Sequence, residues 1–124
     1  MKRLILPLLL AFSLSAPASA LTENEVRQCR AMAATFAPKK AEFDEMAAKR
    51  DELALLAEKA GEAWENAETL RNFSPEAAAE ADIAKAKYDA ARAAFDQVQY
   101  AWAAAGRQLN ADFSAYNAKC AAED

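Results

Sequence analysis

The stretch NFSPE, residues 72–76, constrains this chain more than any other, because it is one strong break between two long segments of helical periodicity. Asn72 can end one helix, Ser74 can cap the next, and Pro75 suits the first position of that helix, where a missing N–H leaves no bond unmade. Glu76 and Glu80 then face the positive end of the helix dipole. Before the break, apolar or small residues recur at 29, 32, 36, 43, 46, 53, 57, 60, 64 and 67, in the steps of three, four and seven that mark one helix face. Lys39 and Arg50 occupy turns that the stripe skips, and their long stems can lie along the seam while their charges reach water. After the break, Ala81, Tyr88, Phe95, Trp102, Leu109 and Tyr116 repeat every seven residues, with Ala84, Ala91, Val98 and Ala105 three residues after the first four. That is a coiled-coil seam nearly free of charge.

Two long helices joined by a short turn form an antiparallel hairpin, so the predicted fold is all-α, with arms at about 22–72 and 75–122. Helix-forming composition agrees: alanine supplies 31 of the 104 residues from Leu21 onward, and Val, Ile and Thr are scarce. The turn dictates the register. A residue on one arm faces a residue on the other when their numbers total about 149, twice the midpoint of the break. Cys29 and Cys120 satisfy that relation without having been used to derive it. Their pairing as a disulfide would close the open end of the hairpin. The same register sets Phe43 near Gly106, Ala47 near Trp102, Leu53 near Phe95, Gly61 near Tyr88 and Trp64 near Ala84, large against small along much of the seam. Gly61 and Gly106 are then room for an aromatic ring rather than turns.

Pro38 falls inside the first arm, where it removes one hydrogen bond and crowds the carbonyl four residues earlier. It predicts a kink or a short break near Phe36 and Ala37. A rival arrangement folds residues 22–37 back as a third helix, but that would carry Cys29 away from Cys120. A second arm of this length extends roughly 70 Å at 1.5 Å per residue, and so thin a rod buries little core. The disulfide offsets that weakness. Another solution is a dimeric four-helix bundle, formed by two hairpins through a second apolar strip at Ala90, Ala93, Ala94, Tyr100, Ala101 and Ala104.

The first twenty residues, MKRLILPLLLAFSLSAPASA, combine Lys2 and Arg3, an apolar run from Leu4 to about Leu14, and an Ala18-Ser19-Ala20 cleavage signal. This pattern predicts a signal peptide, residues 1–20, and an exported chain, periplasmic or secreted, with a single domain from 21 to 124. The run is short of the roughly 20 apolar residues that span a bilayer, so no stable membrane insertion is expected after cleavage. No cysteine directly follows the cleavage point, which sets lipidation aside. Without Lys2 and Arg3 the chain carries 13 basic and 19 acidic residues, a formal charge of −6. That balance repels nucleic acid and anionic headgroups. An even pair of cysteines in an oxidising compartment reads as a disulfide.

Catalytic chemistry has few footholds. The chain has no histidine, so neither a Cys/His zinc site nor a Glu-x-x-His carboxylate-bridged metal bundle can be assembled. Ser74 and Ser114 lack a histidine base, and neither cysteine has a CxxC neighbour. Carboxylate pairs such as Glu58 with Glu62, Glu65 with Glu68 and Glu76 with Glu80 share helix faces, but acid–base work needs a pocket that separates their pKa values. No cofactor is expected. The aromatic series Tyr88, Phe95, Trp102 and Tyr116 is the core of the seam, together with Phe43, Leu53, Trp64 and Leu109. In a looser hairpin it would instead line a groove for an apolar ligand or an unfolded client. Phe73 in the turn and Tyr100 on the second strip lie outside the seam and are candidate contact points for a protein partner.

The segment LTENEVRQCR is similar over five residues to the LTxxQ stretch of certain small periplasmic stress chaperones, which are also helical hairpins. Leu21 and Thr22 match, and Glu25 stands where the glutamine would be. Thr22 and Glu25 also form an ordinary capping box. The likeness implies client binding by a dimer, whereas the acidic balance departs from the basic character of that family. The expected function is therefore a non-enzymatic exported protein that acts through protein contacts, as adaptor, assembly subunit or envelope element. A chaperone-like or apolar-ligand-binding module is the alternative.

Overall fold

A computed structural model of the chain describes residues 20–121. The segment predicted as a signal peptide, apart from Ala20, lies outside the described residues. Two helices, α1 (Glu23–Thr69) and α2 (Pro75–Cys120), pack against each other as an antiparallel hairpin. No strand occurs among the described residues.

Each helix begins where its capping chemistry places it. Thr22 Oγ1 accepts from the Glu25 N–H at 3.3 Å, and the Thr22 N–H donates to the Glu25 carboxylate at 2.7 Å, a complete capping box. Ser74 Oγ accepts from the Ala77 N–H at 3.0 Å, with Pro75 at the first helical position. The end of α1 differs from expectation: the helix stops at Thr69, with Leu70 as its cap, three residues before Asn72. Short-range bonds take over there, from the Leu70 N–H to Ala67 O, Arg71 N–H to Glu68 O and Phe73 N–H to Leu70 O. These i→i+3 contacts tighten the final turn and satisfy the terminal carbonyls without any left-handed residue.

α1 runs through Pro38 without interruption. Of the two outcomes expected at that position, a break does not occur, and neither does the third helix. The reason lies on both sides of the proline. Before it, Phe36 stacks on Phe113 with ring centroids 4.4 Å apart and meets Tyr116 edge-on at 5.4 Å. After it, Lys39 Nζ reaches Asp112 at 2.6 Å, and Phe43 stacks on Trp102 at 5.4 Å. Aromatic pairs of this kind are each worth about 0.5–1.5 kcal/mol beyond their area. Pro38 itself faces solvent, so its ring displaces nothing from the seam.

The disulfide closes the open end: Cys29 and Cys120 have their sulfurs 2.04 Å apart and Cα atoms 5.8 Å apart. Beside it Lys119 donates to the Gln28 side chain across the two helices. Cys29, Ala57, Ala81 and Cys120 are the only fully buried apolar residues among those described. The rest of the seam is half-buried, because two helices can cover only one side of each other.

Both glycines sit opposite aromatic rings. A Cβ on Gly61 would lie 3.2 Å from Cε2 of Tyr88, and one on Gly106 would lie 3.1 Å from Cε2 of Phe43. The Phe43 ring is already braced by Trp102 and has little room to retreat. Gly106→Leu should therefore destabilise the chain: overpacking costs about 1–3 kcal/mol, against a gain of about 1 kcal/mol in helix propensity. A urea melt followed by circular dichroism reads the difference. A midpoint above that of the parent chain would show that the seam is loose at this level.

Candidate functional site

Tyr88, Trp102 and Tyr116 pair with aromatic rings of α1, and Tyr88 and Phe95 also line a shallow surface groove. Trp64 stacks on Tyr88 with centroids 5.4 Å apart, although backbone register alone sets Trp64 against Ala84. Long helical side chains lean toward the N-terminus of their own helix, and in an antiparallel pair that lean brings residues from neighbouring levels together. Phe36 with Tyr116 meets by the same offset. Leu53, Phe95 and Leu109 are half-buried along the same line, and the Arg92 guanidinium lies 5.6 Å from the Phe95 ring centre.

Arg50 departs from the expectation that its charge would reach water. Its guanidinium carbon lies 4.0 Å above the Trp102 ring, and two of its nitrogens donate to Asp51 at 3.0 and 2.8 Å. A flat, weakly hydrated cation gains by covering an indole face that two helices cannot cover themselves. Lys39 crosses the seam to Asp112 while its side chain stays exposed to solvent, as expected, and this bond, followed by one from Gln108, holds the Asp112 carboxyl below its ordinary pKa. Phe113, 39% exposed, is the seam aromatic that sequence reasoning missed. Its signal was present, since 36 and 113 also total 149.

The two candidate contact residues stand apart. Phe73 is 81% exposed at the tip of the hairpin, with Leu70 beside it at 52%. Arg71 donates to Glu68 at 2.8 and 2.9 Å and to Asp82 at 2.8 Å, which ties the turn to α2. The guanidinium draws the Glu68 pKa down, and the two carboxylates together push that of Arg71 up. Tyr100, 74% exposed, lies on the flank of α2, some 27 residues and roughly 40 Å of helix from the tip. Leu55, Leu56 and Ile83 are exposed as well, at 59%, 48% and 57%; their positions lie outside the seam stripe, which is why periodicity did not single them out.

Shallow surface grooves of about 280–470 Å³ run beside the seam. The groove at Tyr88 is edged by Glu58, Glu62 and Glu65, three carboxylates that are all exposed to solvent. Glu68 is engaged by Arg71, and Glu76 and Glu80 are also exposed. No group of three or more potential metal ligands converges among the described residues. No described helix is long and apolar enough to cross a membrane.

The fold and its surface define a disulfide-closed helical hairpin with an apolar tip. No family model, curated protein or solved structure matches the chain.

Proposed function

We propose that the chain is a non-enzymatic exported protein that acts through protein contacts, as an adaptor, assembly subunit or envelope structural element. The observation that carries this reading is the tip, where a large aromatic side chain is exposed on a turn that the Arg71 ion pairs tie to α2. A solvent-exposed aromatic is the residue type enriched at the buried centres of protein interfaces. The export reading rests on MKRLILPLLLAFSLSAPASA and on a cysteine pair suited to an oxidising compartment. The periplasm is the proposed location.

Crosslinking in the intact envelope, followed by capture of the tagged chain, tests the reading. Phe73→Ser should reduce recovery of the crosslinked partner by about tenfold or more, the loss of a hot-spot aromatic, while leaving the helical signal unchanged. Equal recovery by parent and variant at several salt concentrations would remove the tip from the function. Suppression of client aggregation by the purified chain would instead favour the chaperone-like alternative.

A further inference from the structure

The face of α2 turned away from α1 carries a second seven-residue repeat. From Ala79 to Ala118, steps of four and three mark twelve positions down one line of the helix, and seven of the twelve are alanine. The other five are Ile83, Gln97, Tyr100, Arg107 and Ser114. All are exposed except Ala104, which is half-buried. We propose that this face binds the same face of a second copy, with the two α2 helices antiparallel and the two-fold axis between Gln97 and Tyr100. The proposal rests on the protein-contact reading above and names one partner for it.

Self-complementarity is the first support. A ladder of alternating fours and threes maps onto itself when reversed, with opposed positions totalling 197, so the support lies in the residue types that meet at each level. Ile83 meets Ser114, Arg107 meets Ala90, and the alanines at 79, 86 and 93 meet those at 118, 111 and 104. Three levels set alanine on alanine and two set a larger residue, Ile83 or Arg107, against a small one, and alanine lets two backbones approach closely enough to interlock. At the centre Gln97 meets Tyr100, an amide against a phenol.

Charge supplies the second support and selects the direction. Residues 76–96 carry five acidic and three basic side chains, whereas residues 97–120 carry one acidic and two basic. Antiparallel pairing brings the acidic half of each copy onto the basic half of the other. Asp82, Asp89 and Asp96, spaced by seven along one flank, then lie near Asn117, Asn110 and Ala103 of the second copy. Arg107 makes no ion pair among the described residues, and this arrangement sets it beside Asp89 of the second copy. Parallel pairing would set Arg107 on Arg107. The outer face of α1 is unsuited, because between Glu42 and Glu68 that helix carries nine carboxylates and three basic groups.

The seam is long enough. Its 39-residue span covers roughly 58 Å, and at a width of about 10 Å each copy contributes about 600 Å², a total of about 1,200 Å² at the lower edge of specific interfaces. Because this seam lies opposite the α1 contact, the four helices stand in a row rather than in a closed bundle. The two Phe73 tips then point outward from opposite ends.

Sedimentation equilibrium of the mature chain should return twice the monomer mass at about 100 µM, above the micromolar dissociation constants of weak interfaces. Ala93→Arg, at an exposed position, should return the monomer mass with helix content and disulfide intact. A short bis-maleimide should join Tyr100→Cys chains to one another. It should not join Ala79→Cys or Ala118→Cys chains alone, whose thiols would stand roughly 58 Å apart, but should join a mixture of the two. Crosslinking of Ala118→Cys with itself would overturn the antiparallel direction, and a monomeric parent chain would overturn the pairing. A monomer that still captures a partner through Phe73 sinks only this proposal; a dimer that captures nothing sinks only the adaptor reading.

Discussion

Reduction of the Cys29–Cys120 bond, or Cys120→Ala, should lower the thermal midpoint of the chain by on the order of 20 °C. The bond closes a loop with a sequence separation of 91, and in the chain-entropy account a loop of about that length contributes about 4–5 kcal/mol. In a domain of about 100 residues each kcal/mol moves the midpoint by about 4–8 °C at the upper end of sensitivity. Few other contacts can replace it, because the two cysteines are half of the fully buried apolar residues described. The loss should also be local. Amides near Glu23–Phe36 and Phe113–Cys120 should lose exchange protection first, while those near the turn retain it. The measurement is a melt by circular dichroism with and without reductant, paired with hydrogen exchange. A reduced chain that melts within a few degrees of the oxidised one would mean that the seam alone holds the rod.

Trp102→Ala should produce the largest loss away from the disulfide, about 2–3 kcal/mol. Full truncation of a buried tryptophan costs about 3–5 kcal/mol, and Trp102 is only half-buried. Its ring carries both the Phe43 stack and the Arg50 guanidinium, so truncation unsupports two side chains on α1 at once. Trp102→Phe should be far milder. It keeps an aromatic face for both neighbours and removes the indole Nε1–H, which is buried with no acceptor, an unmade bond worth about 1–3 kcal/mol. Arg50→Ala combined with Trp102→Ala should show a coupling of about 0.5–1 kcal/mol, the size of a partly exposed cation–π contact. Urea denaturation of the four chains measures it. Trp102→Phe as damaging as Trp102→Ala would show that indole shape, rather than aromatic stacking, holds this level.

The candidate contact residues were legible in a different way from the seam. Phe73 stood out because it falls in the break, where no seam position exists, and the turn leaves it 81% exposed. Ile83, Leu55 and Leu56 carry no such mark, since they fall inside helices but off the seam stripe, where periodicity assigns no role. Asn72 illustrates the same limit at the turn. Its type suits a helix end, but the i→i+3 bonds at Leu70, Arg71 and Phe73 end α1 earlier.

Helix number, helix direction and the pairing of Cys29 with Cys120 follow from the sequence by itself. Period and spacing are one-dimensional quantities, and a single break turns them into a register that the disulfide and the Gly61–Tyr88 and Gly106–Phe43 approaches obey. Only the tertiary structure decides how the side chains meet across that register. Trp64 reaches Tyr88, Arg50 settles over Trp102, Lys39 crosses to Asp112, and α1 passes unbroken through Pro38. The first three depend on the lean of a long side chain toward its own N-terminus and on which opposing surface remains uncovered, the last on contacts to α2 on both sides of the proline, and all of these exist only once both helices are in place.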